Sequence, residues 1–166
     1  MKGDTAPLSF ILFAACAGVF IGVTGLGLPE LVSSHFDAAG APNGHMPRGV
    51  YLGIMIGLLI VVPTLLVFTT WGSLARPDAR INLPNRDYWL APARRAETIA
   101  ALRRHVLGFG VLLILMECWA HWLVVRANRA DPVHLASAPF VAGLIVFFAL
   151  VGIGLLLLVR RFGLTR

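Results

Sequence analysis

Charge is what this chain has least of. Only 13% of its 166 residues are charged while 58% are hydrophobic, and mean hydropathy is +0.81. A soluble domain averages about 25% charged residues, so a water-facing globule is excluded. Cysteine is scarce as well. Cys16 and Cys118 both lie in apolar stretches with no CxxC neighbour, which leaves a disulfide framework or structural zinc site unsupported and makes them apolar thiols. Missing too are a P-loop, a Gly-x-Ser-x-Gly elbow and an HExxH helix, so the common routes to phosphoryl, acyl and zinc-peptidase chemistry have no residues to run on. No cofactor is expected.

What the chain has is apolar length. Crossing a bilayer core of about 30 Å takes about 20 apolar residues. Four stretches qualify, at about 8–28, 50–71, 106–125 and 140–159. The chain therefore reads as one all-α integral membrane domain over 1–166, with four transmembrane helices. The first stretch runs past Cys16 to Leu28, too long for a signal-peptide core of 7–15 residues, so a retained anchor is expected.

The charge that remains is basic, with 14 Lys and Arg against 8 Asp and Glu. The arginines cluster beside apolar runs, which suits anionic lipid headgroups and not nucleic acid. With both termini inside, eleven basic residues fall inside and three outside, giving an N-in/C-in topology by the positive-inside rule. Both termini are then expected to be cytoplasmic. Small residues Ala14, Gly18 and Gly22 in span one, and Gly53 and Gly57 in span two, are spaced for close helix packing within the chain or across a homodimer seam. Pro63 is expected to kink span two.

The first connection, which faces outward in this topology, is polar and rich in turn residues. Pro29-Glu30 suits a helix start, and Leu31, Val32, His35 and Phe36 would then share a face. Gly40 is expected to close that helix with a positive φ, and Ala41-Pro42-Asn43-Gly44 fits a type I turn. An ordered outer loop is expected. His35, Asp37 and His45 make a weak metal pattern, short of the three or four supported ligands zinc needs; no metal is assigned.

The run His35, Phe36, Asp37, Gly40, Pro42, Asn43, Gly44 resembles the signature of a bacterial membrane family catalogued as a domain of unknown function, number sixteen forty-eight. Arg48 stands where that family more often has lysine. The family is related to the SdpI-type toxin-immunity and signalling membrane proteins. The stretch "NLPNRDYWLAP" (82–92) is also similar to members of this length, so the resemblance covers about 29–92. It implies a multi-span inner-membrane protein and assigns no catalysis.

In the second connection, Tyr88 and Trp89 beside arginines suit the headgroup region. From Pro92 a basic interfacial helix is expected, with Ile99, Leu102 and Val106 as its apolar stripe and Arg94, Arg95, Arg103 and Arg104 around it. Within span three, Glu117 and His121 stand four residues apart on one helix face. An acid at that depth costs about 2.5–3.5 kcal/mol on insertion scales. It serves either as packing glue hydrogen-bonded to His121 or as a proton-exchanging step. The leading expectation is a non-enzymatic accessory, sensing or immunity-type module whose outer loop binds a ligand or another membrane protein. The rivals are a small proton-coupled transporter using Glu117 and His121, and a membrane enzyme centred on His35, Asp37 and His45.

Overall fold

The computed structural model describes residues 6–76 and 81–163. Three of the basic residues counted for topology, Lys2, Arg80 and Arg166, lie outside these. Helix α1 spans Ala6–Gly25, α2 Arg48–Ala75, α4 Pro92–Asn128 and α5 Ser137–Gly163, with a single turn of helix, α3, at Arg86–Trp89. The four long helices are each long and apolar enough to cross a membrane.

Helices α1, α2 and α4 pack on one another around Phe10, Ile21, Leu59, Val67 and Ile114. Gly110 marks the tightest approach in α4: a Cβ there would come within 2.6 Å of a Val67 methyl. Where lipid supplies no hydrophobic drive between helices, such close contact is what holds them together. Helix α5 packs chiefly on α4, and none of its spanning stretch is buried. The expected packing stripe is only partly used. Gly18 meets Leu59, whereas Gly22, Gly53 and Gly57 face open space. Helix α2 continues through Pro63, which is buried.

The interfacial helix expected from Pro92 is the first part of α4, which runs without interruption into the span. Its 37 residues make about 55 Å at 1.5 Å per residue, well beyond the core thickness. Its buried line in this part is Thr98 and Ala101, while Ile99, Leu102 and Val106 are only half-buried.

The first connection departs from the expected helix. It is an antiparallel hairpin of β1, Leu31–Phe36, and β2, Pro42–Pro47. Val32 pairs with Met46, Ser33 with His45 and His35 with Gly44, with irregularities on either side of His35. A helix between Pro29 and Gly40 would be too short to repay its nucleation, whereas paired strands satisfy each other's backbone groups. The turn is also displaced: Pro42 to Gly44 belong to β2, and the reversal sits at 37–41. There the Asp37 N–H donates to Ala41 O at 2.9 Å, the Gly40 N–H to Asp37 O at 3.0 Å, and the Ala41 N–H to Asp37 Oδ1 at 2.9 Å.

Candidate functional site

An isolated two-stranded hairpin is marginal; this one is held from several sides. Gly40 has φ +89°, and a Cβ on it would lie 2.2 Å from Leu135 O. Only glycine meets both demands. Its carbonyl accepts from the Leu135 N–H at 2.9 Å, and the Ser137 hydroxyl donates to Ala38 O. The turn therefore rests on the α4–α5 connection. Gly44 has a comparable duty on a smaller scale, since a Cβ there would stand 3.0 Å from the His35 Cβ.

On the strand, Asn128 at the end of α4 acts as a substitute neighbour. Its Oδ1 accepts from the Ser33 N–H and its Nδ2 donates to Ser33 O, both at 2.9 Å. One amide thus satisfies the two backbone groups that β2 leaves free at this residue. Arg48, the basic residue of the signature, donates through one guanidinium nitrogen to Leu26 O at 3.2 Å and Leu28 O at 2.9 Å. It serves carbonyls just beyond the end of α1 and ties that end to the start of α2.

Beneath the hairpin is a cleft of about 720 Å³. His35, Phe36, Asp37 and Asn43 border it from the hairpin. Its deeper wall is apolar, built by Met55 of α2, Leu123 and Val124 of α4, and Phe140 and Val141 of α5. Tyr51 joins this wall, and its hydroxyl leads to the most buried polar side chain among the described residues. His121 is fully buried. Its Nδ1 lies 3.0 Å from Tyr51 Oη and its Nε2 2.8 Å from Thr24 Oγ1. The Thr24 hydroxyl donates to Phe20 O at 2.6 Å, so it has only a lone pair to offer the ring. Nε2 therefore carries the proton, and Nδ1 accepts from Tyr51. The Tyr51 ring stacks on the imidazole, with centroids 5.7 Å apart.

This arrangement revises the expected Glu117–His121 pair. Both ring nitrogens of His121 are taken by α1 and α2, and Glu117 Oε1 is buried with no partner. Four residues of separation put the two on one helix flank, but interhelical partners captured the histidine. Glu117 precedes Ala120 and Val124 by three and seven residues, and both line the cleft. It therefore lies on the cleft-facing side of α4, one turn deeper.

His35, Asp37 and His45 do not gather. His35 Nδ1 meets Ser34 Oγ at 3.0 Å, His45 Nδ1 meets Ser33 Oγ at 3.1 Å, and Asp37 serves the turn. Among the described residues no three potential metal ligands cluster. Pro42 pairs with Phe36 at the start of β2. Thr24, Tyr51 and Asn128 belong to the site and were not singled out by sequence. In the sequence Asn128 stands three residues past the third apolar stretch, after Arg126 and Ala127.

At the opposite end, Trp89 donates its indole N–H to Phe162 O at 3.1 Å, and Arg94 stacks on Tyr88 at 4.0 Å. Arg161 pairs with Glu97 at 2.7 Å. Arg103 stacks on Trp71 at 4.5 Å.

Four apolar helices with a hairpin closing one end make this a mostly helical, multi-pass membrane protein. Compared with known protein families, curated proteins and solved structures, the chain gives no match.

Proposed function

We propose that the chain is a bacterial inner-membrane protein of the family its hairpin signature resembles, with both termini cytoplasmic and the hairpin outside. In this reading it is a non-enzymatic sensing or immunity-type module, and the cleft beneath the hairpin is its binding site. One observation carries the proposal: the signature residues His35, Phe36, Asp37 and Asn43 border the same cleft as Tyr51, the partner of buried His121. Ligand sites are concave, mostly apolar and furnished with a few placed polar groups. The matching ligand is amphipathic, with an apolar body against Met55, Val124 and Phe140 and a hydrogen-bonding end at the hairpin. Occupancy that shifts Tyr51 would unseat a ring held between α1, α2 and α4, which gives binding a route to the helices.

A photoreactive residue at Asn43 tests this in cells. A discrete adduct is expected there and none at Glu30, which is exposed and away from the cleft. Val141→Trp, which fills the cleft from α5, should abolish the adduct. Equal labelling at both positions, or an adduct indifferent to Val141→Trp, would refute the binding site.

A proton-coupled carrier is the second reading, favoured by the buried, unpartnered Glu117 oxygen one turn below the cleft. Intramembrane acids commonly mark proton or ion paths. Proton flux into liposomes that disappears in Glu117→Gln, with stability retained, would select this reading over the first.

A further inference from the structure

A second cleft opens at the other end of the bundle, where the last turns of α2 face the start of α4. Its volume is about 810 Å³. Trp71 and Leu74 of α2 form one side, and Ile99 and Leu107 of α4 the other. Arg95, Arg103 and Arg104 also line it, and no acidic side chain does among the described residues. Arg95 donates to Arg76 O at 2.9 Å and Arg103 to Trp71 O at 3.4 Å, while Arg94 stacks on Tyr88 and Arg161 pairs with Glu97 at this same end. Three guanidiniums are thus gathered into one concavity.

Two features of the concavity point to a ligand. The Arg103 guanidinium stands over the Trp71 ring, 4.5 Å from its centroid, and its buried Nε has no hydrogen-bond partner. A buried donor of that kind is costly to leave unmade. In addition, the cationic rim continues into apolar wall at Leu74, Ile99 and Leu107. A free inorganic anion would leave that wall uncovered. A ligand with a phosphate head and hydrocarbon tails covers both.

We infer that this cleft is a specific site for an anionic glycerophospholipid, whose phosphodiester oxygens accept from Arg103 and Arg104 while an acyl chain lies along Leu74, Ile99 and Leu107. Basic pockets between membrane helices are suited to such headgroups, and the planar guanidinium fork matches phosphate oxygens. This differs from a diffuse attraction between basic loops and a charged surface, because it fixes one lipid at one place. It does not depend on what the hairpin cleft binds.

The full chain, purified in mild detergent with equimolar phosphatidylglycerol and phosphatidylcholine, should retain one phosphatidylglycerol in native mass spectra. The expected preference over phosphatidylcholine is about tenfold. The double variant Arg103→Gln/Arg104→Gln should bring it near parity. Arg94→Gln/Arg160→Gln removes the same charge nearby and should leave it intact. Leu107→Trp keeps every charge but fills the cleft, so it should lose the lipid too, and it decides the matter if the arginine variant fails to fold. Millimolar inorganic phosphate should not displace the lipid; displacement would reassign the site to free phosphate and overturn the lipid assignment. Equal retention of the two lipids by the wild type would also overturn it, as would loss of preference in Arg94→Gln/Arg160→Gln to the same degree.

Discussion

The two ends of this bundle share side-chain-to-backbone bonds but differ in what accompanies them. At the hairpin end, polar side chains meet backbone: Asn128 on Ser33, Arg48 on the carbonyls after α1, Ser137 on Ala38. At the arginine end, rings and guanidiniums stack, as Arg94 does on Tyr88, Arg103 on Trp71 and Trp89 against Phe162. Backbone pairing is directional and fixes a shape. Stacked aromatic and cationic groups are amphipathic and tolerate an interface that is part lipid and part water. The first end holds a hairpin over its cleft; in the proposed orientation the second would sit among headgroups.

The hairpin end should therefore be the more easily broken by single substitutions. Gly40→Val is expected to have the largest effect, since it combines a positive φ with overlap on Leu135 O; the strain alone costs about 1–3 kcal/mol. Limited proteolysis should cut the first connection readily while all four spans stay inserted. Unchanged protease resistance would show that the turn does not depend on its seat against the α4–α5 connection.

Next comes the contrast inside α4. His121→Ala opens a cavity and strips Tyr51 of its acceptor, which should cost about 2–4 kcal/mol and lower Tm in detergent by several degrees. Glu117→Gln touches no hydrogen bond of Oε1 and should change Tm little. If the glutamine variant proves the more damaging of the two, the division between an engaged histidine and an unengaged acid is wrong.

Asn128→Ala removes both bonds to Ser33 and leaves its N–H and carbonyl without protein partners, at a cost of about 1–3 kcal/mol. Amide exchange at Ser33 and its strand neighbours should speed up, with the helices unaffected. The smallest change belongs to the arginine end. Glu97→Gln breaks an ion pair whose members are both well exposed, and such pairs are worth about 0–1 kcal/mol. A Tm within experimental scatter is expected.

Much of this contrast could be read from the sequence at the level of elements and much less at the level of contacts. The four helices were legible because apolar length is a property of each segment by itself. So was the positive φ at Gly40, because few residues other than glycine suit such a turn. The hairpin was not, because Leu31, Val32, His35 and Phe36 fit a helical face as well as a strand. What decides between them is pairing with 42–47 and support from Asn128, some 95 positions away. The Glu117–His121 pair failed for the same reason. Local spacing on α4 suggested a partner, while Tyr51 and Thr24 reached the ring from other helices.

In the proposed orientation the hairpin end faces outward and the arginine end inward, so that the two clefts would meet different compartments. Cysteine accessibility tests it most directly, in a background lacking Cys16 and Cys118. Ala39 and Asp87 are exposed at the two ends. Ala39→Cys should react with an impermeant thiol reagent added to intact cells, and Asp87→Cys should react only after lysis. Labelling of Asp87→Cys in intact cells with Ala39→Cys protected would contradict the orientation and place the hairpin cleft in the cytoplasm.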